Sequence, residues 1–191
     1  MLGTRIAGRR FASSNTGSTP DNDTNISKKT FAHFAAFFAR FPFFNYDPSQ
    51  SFSKQFKTLK KTPQWKENTG RQPINYKLAL VLQFNETYGT DQNDTASWQN
   101  LCRVLQIEDV PEDITSCKKI VKSTHVNFVD LVEMPNTQRP VKHFKSCVSL
   151  SWYSKKKDKI FPRDEAKAGG ILKYLLRPID TVPAKRTPLK K

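Results

Sequence analysis

The sequence predicts an all-α protein: a single compact domain of about six or seven short helices over residues 30–177, between a disordered leader (1–29) and a basic disordered tail (178–191). Two observations lead there. Apolar residues recur at three- and four-residue spacings in segment after segment, while strand-like alternation is weak throughout. Capping residues stand just before several of these segments, and proline or glycine stands just after them. A chain of 191 residues suits one such domain plus loose ends.

The leader carries Arg5, Arg9 and Arg10, with no acidic residue before Asp21. Arg9-Arg10-Phe11-Ala12-Ser13 fits a mitochondrial processing site and the leader fits a transit peptide. Gly3, Gly8 and the position of Arg9 between Leu2 and Ile6 make it poorly amphipathic, so a basic arm is the plainer reading. Residues 13–29 hold almost nothing apolar and read as unfolded.

Seven phenylalanines then fall within residues 31–44. Phe31, Phe34, Phe38 and Phe41 share one helical face, which Thr30 would cap and Pro42 would end. Such a stripe is expected in a core, although exposed aromatics could stack on bases or build a protein-binding groove. Asp47-Pro48-Ser49 opens a second helix, with Phe52, Phe56 and Leu59 on one face and Lys54, Lys57, Lys60 and Lys61 on the other. Trp65 reads as part of a loop running to Pro73. Residues 75–89 form the strongest helix, apolar nearly all round and closed by Gly89.

Thr95 begins the next helix, with Trp98, Leu101, Cys102 and Leu105 on a buried face. In the segment that follows, Ile114, Cys117, Ile120 and Val121 lie on one side of a helix and Lys118, Lys119 and Lys122 on the opposite arc. Asn127 caps a further helix, Asp130 reaching back as in a capping box, and Met134-Pro135-Asn136 stops it. Beyond Pro140, Phe144, Val148 and Trp152 predict a helix face, followed by Lys155, Lys156, Lys157 and Lys159. Ile160-Phe161-Pro162 anchors the chain, and Ala168, Ile171, Leu172, Leu175 and Leu176 predict a last helix, loosened by Gly169-Gly170.

The net charge is +15, and its distribution is the main functional clue. Residues 88–134 are net −4, whereas residues 135–191 are net +11. So basic a C-terminal third favours an anionic partner, such as nucleic acid, an acidic protein or an acidic membrane surface, over a merely solubilising face. Lys118, Lys119, Lys122, Lys142, Lys145, Lys155, Lys156, Lys157, Lys159 and Arg163 are the candidate nucleic-acid-binding residues. They would neutralise phosphates without reading bases, because lysine outnumbers arginine among them.

Other chemistry finds little footing. Seven glycines leave no phosphate-cradling loop, and no hydrolase, metalloprotease or EF-hand pattern is present. Cys102, Cys117, His125, His143 and Cys147 lack the tight pairing of a structural zinc site. No catalytic set, cofactor or metal is expected. Three widely spaced cysteines read as reduced intracellular thiols, which leaves the sequons at Asn22, Asn25, Asn85 and Asn93 inert. No apolar run is long enough to span a membrane.

The order Phe-x-Tyr, Trp98-x-x-Leu101-Cys102, Pro111-x-x-Ile114-Thr115-x-Cys117-Lys118-Lys119 and Val126-Asn127-Phe128-Val129-Asp130-Leu131 resembles a group of small proteins of filamentous fungi. Lys159-Ile160-Phe161-Pro162 and Ala166-Lys167 belong to the same resemblance, which covers about residues 35–177. It implies a single compact unit and a fungal origin, and no activity. The expected function is non-enzymatic binding of nucleic acid or a nucleoprotein assembly in the nucleus, through the lysine face. The alternatives are a mitochondrial matrix protein associated with RNA or ribosomes, and an interaction adaptor or accessory factor of a fungal pathway.

Overall fold

The computed structural model describes residues 31–68, 76–161 and 170–179. The leader, with its candidate processing site, Arg163 and the tail from 180 lie outside the described residues. Among the described residues eight α-helices follow in order: α1 Ala32–Phe38, α2 Phe52–Leu59, α3 Pro63–Asn68, α4 Tyr76–Tyr88, α5 Thr95–Val104, α6 Ile114–Ser123, α7 Phe128–Thr137 and α8 Cys147–Lys157. A 3-10 turn, Leu172–Tyr174, comes last. Among the described residues there is no strand, and one isolated bridge pairs Val126 with His143. None of the described helices is long and apolar enough to cross a membrane.

The all-α prediction holds, with local differences. Trp65 lies in the short helix α3 rather than a loop. α7 runs through Pro135 instead of stopping there. A proline has no N–H for the carbonyl four residues back, and that carbonyl, of Leu131, takes the Tyr88 hydroxyl at 3.2 Å instead. Within residues 170–179 the segment expected as the last helix holds the 3-10 turn, with Ile171, Leu172, Leu175 and Leu176 all buried as expected, and Ala168 and Gly169 lie outside the described residues. Packing runs on past the expected boundary at 177, since Ile179 is buried and its carbonyl accepts from the Ser151 hydroxyl at 2.8 Å.

α4 is the centre of the fold, touching α1, α5 and α7, and α5 packs on α6. Gly89 ends α4 at φ +83, where a Cβ would also meet the Ser97 hydroxyl. Phe34, Phe37, Phe38, Phe41 and Phe52 are buried in one cluster, with the rings of Phe34 and Phe52 stacked 3.8 Å apart. Phe34 and Phe37 are buried, so the two rings on which an adaptor groove along α1 was expected to rest face the core. α8 turns the other way from its expected register. Leu150, Ser151 and Ser154 face inward, while Val148 and Trp152 are nearly half exposed.

Candidate anion-binding surface

The structure divides the sequence-predicted lysines into separate settings. Lys118, Lys119 and Lys122 ride on α6 behind the Asp113 cap, whose carboxylate accepts from Ser116 N at 2.8 Å. Lys118 Nζ lies 5.4 Å from the centre of the Trp98 ring, and Lys118 and Lys122 each lie 5.8 Å from that of Tyr174. Lys173 approaches the same tyrosine at 5.2 Å. Arg177 closes the far end of α6 by donating to the carbonyls of Val121, Lys122 and Thr124. Three ammonium groups thus converge on one half-buried tyrosine, while Lys119 is exposed on α6.

A second grouping surrounds a cleft of about 240 Å³ between α2, α7 and α8. Lys54 comes from α2, Arg139 and Lys142 from the segment after α7, and Lys157 from the last turn of α8. Lys142 also lies over the Phe144 ring at 5.5 Å. Among the described residues, no carboxylate pairs with any of these four. Lys145, Lys155 and Lys156 are exposed outside the cleft lining, and the last two, with Lys157, also complement the negative carbonyl end of α8.

Lys159 requires a correction. Its place in a run of lysines suggested a solvated cation, but its side chain is only 15% exposed. Asp158 adopts φ +50 and reverses the chain, which carries Lys159 inward onto α7. There its ammonium donates to Asp130 Oδ1 at 2.6 Å and Glu133 Oε2 at 3.0 Å. Asp130 and Glu133 stand three residues apart on α7 and so share a face. The expected capping box is therefore half made: Asn127 accepts from Asp130 N at 3.1 Å, but the Asp130 carboxylate serves Lys159.

The same knot ties three elements together. Glu133, 2% exposed, also accepts from Ser51 Oγ at 2.9 Å and from the Ser53 backbone N–H, so it holds the N-terminus of α2. Asn127, equally buried, donates to Ser154 Oγ at 2.8 Å and to the Lys159 carbonyl at 2.9 Å. Burial pulls the Lys159 pKa down, but the Glu133 charge and the bonds to Asp130 outweigh it and hold the pKa above its ordinary value. Burial, followed by the hydrogen bond to Asp130, pushes the Tyr153 phenol up to about 12.

The cysteine and histidine positions gather no such site. Cys102 and Cys117 are buried thiols, Cys117 facing the Pro111 carbonyl at 3.4 Å, and burial pushes the Cys102 pKa up to about 12, away from thiolate chemistry. His125 sits at the α6–α7 joint, where burial and then Arg177 lower its pKa. Among the described residues no group of three or more His, Cys, Asp or Glu could hold a metal.

Sequence reasoning missed Lys54 and Arg139 as site residues. The exposed lysine face of α2 was a usable signal for Lys54. Arg139 lies in a loop without periodicity and gave none. Fold and cleft together define the chain as a small all-α protein with a cation-rimmed cleft. Comparison with protein-family models, curated proteins and solved structures finds no match, so the functional reading rests on the residues alone.

Proposed function

We propose that the protein is a non-enzymatic helical module that binds nucleic acid, or the nucleic-acid part of a nucleoprotein assembly, through its cationic surface. The observation that carries this reading is the convergence of Lys54, Arg139, Lys142 and Lys157 on one cleft with no carboxylate partners among the described residues. Like charges held together repel, and a polyanion relieves that repulsion while releasing its own counterions. The lysines around Tyr174 offer a second patch on which a strand can rest its phosphates.

The test is the salt dependence of binding to a fluorescent single-stranded oligonucleotide, as RNA and as DNA. If each of the four cleft cations neutralises one phosphate, log K falls against log salt with a slope of about −3. The pair Lys54→Gln and Lys157→Gln together make that slope shallower by about 1.4. Affinity that does not change with salt would sink the proposal.

A further inference from the structure

We infer that the cleft between α2, α7 and α8 is a site for a phosphate monoester, carried either by a free mononucleotide-sized molecule or by the terminus of a nucleic-acid strand. This goes beyond binding a polyanion, and only its strand-end form rests on the nucleic-acid reading.

Many polar groups of the cleft are already used within the fold. The Glu133 carboxylate is occupied by Ser51, Ser53 and Lys159, and that of Asp130 by Lys159 and Tyr153. The Thr137 hydroxyl donates to the Glu133 carbonyl at 3.0 Å. The carboxylates and the Thr137 hydroxyl of the floor are thus already engaged inside the protein. What remains are the donors of Lys54, Arg139, Lys142 and Lys157, none of which can accept a hydrogen bond. A complementary ligand must be rich in acceptors and densely negative.

Charge density then separates monoester from diester. A phosphate monoester carries roughly −1.5 to −2 and three terminal oxygens near neutral pH, whereas each backbone phosphate carries about one charge. Four converging cations suit the former. Size agrees, since 240 Å³ is below the roughly 300–1,000 Å³ usual for drug-sized ligands. The cleft takes one phosphoryl group with the unit that bears it. The engaged carboxylates hold the site's negative charges in internal bonds.

The test has two arms. In the first, a nucleoside 5′-monophosphate and the matching nucleoside are titrated into the full chain while backbone amide NMR shifts are followed. In the second, two oligonucleotides of one sequence, 5′-phosphorylated and 5′-hydroxyl, are compared by fluorescence anisotropy. The monophosphate should move the amides around Lys54, Arg139 and Lys157, and the nucleoside should not. The phosphorylated strand should bind at least about tenfold tighter than its hydroxyl twin. Arg139→Gln and Lys157→Gln should erase that ratio, whereas Lys119→Gln should lower both affinities by the same factor. Lowering the pH from about 7.5 to about 5, across the phosphate's second pKa of ~6, should shrink the ratio.

Amide shifts with the monophosphate but equal strand affinities would assign the free ligand as the source, and a strand ratio would assign the strand end. If the monophosphate leaves the cleft unmoved and both strands bind alike, the inference is overturned while salt-sensitive nucleic-acid binding still stands. Failure of either strand to bind, with the monophosphate still shifting the cleft, would overturn the nucleic-acid reading instead.

Discussion

Two buried regions of this molecule are built on opposite principles. Around α1, α2 and α4 the interior is a stack of rings, with Phe52 lying against Phe34 at 3.8 Å and against Tyr76 at 5.1 Å. Between α7, α8 and the N-terminus of α2 it is a knot of charges and amides: Asn127, Asp130, Glu133, Ser154 and Lys159. The ring stack gains from area removed from water and is largely indifferent to direction. The knot gains only while every partner is in place, because a buried charge left alone costs more than the pair contributes. The ring stack holds the fold together, whereas the knot also fixes where the cationic cleft lies.

Removing one member of each region should sharpen that contrast. Lys159→Met leaves Asp130 and Glu133 facing each other without a counter-charge, and a loss of about 3–5 kcal/mol is expected in urea unfolding. Phe52→Ala opens a cavity in the stack and should cost a similar ~3–5 kcal/mol. The two losses should differ in their pH dependence. Lys159 has a folded pKa raised above its ordinary 10.5, so its contribution is full below that value and is lost as pH rises through the folded one. Tyr46 and Tyr153, each pushed up to about 12 with burial as the first cause, act with the same sign, since the unfolded chain gives up their protons near 10 and the fold does not. Stability should therefore fall above pH 10, and less steeply in Lys159→Met. Chemical denaturation across that range checks both. Smaller still, Asn127→Ala removes the α7 cap and two cross-element bonds, for roughly 1–3 kcal/mol in the same assay.

Much of this contrast could be read from the sequence, and the rest has a physical reason for being hidden. Helical spacing placed Phe34, Leu101, Cys117 and Val121 inside, because an amphipathic helix writes its buried face into its own period. Asn127 announced the start of α7 as a local cap. The knot was hidden, because it depends on one chain reversal at Asp158 that brings Lys159 back onto α7. A lysine in KKKDK looks solvated until its long-range partners are known. α8 misled for a related reason: its inward face is built largely of serines, whose hydroxyls are satisfied by Leu150 and Ile179 carbonyls, so its apolar residues gave the wrong register. The cleft itself joins residues from four segments, and no spacing in the chain records that meeting.

Cations at the rim and carboxylates in the floor imply that stability and affinity can be moved in opposite directions. Glu133→Gln weakens the charge-assisted bonds to Lys159 and the α2 N-terminus, yet it also removes a negative charge beneath the cleft. The deciding measurement is the affinity of the 5′-phosphorylated oligonucleotide for the wild-type chain, Glu133→Gln and Arg139→Gln, at a temperature where all three are folded. Tighter binding by Glu133→Gln and weaker binding by Arg139→Gln is the expected result. Weaker binding by Glu133→Gln, or no change in Arg139→Gln, would contradict the assignment of the carboxylates to the fold and the cations to the ligand.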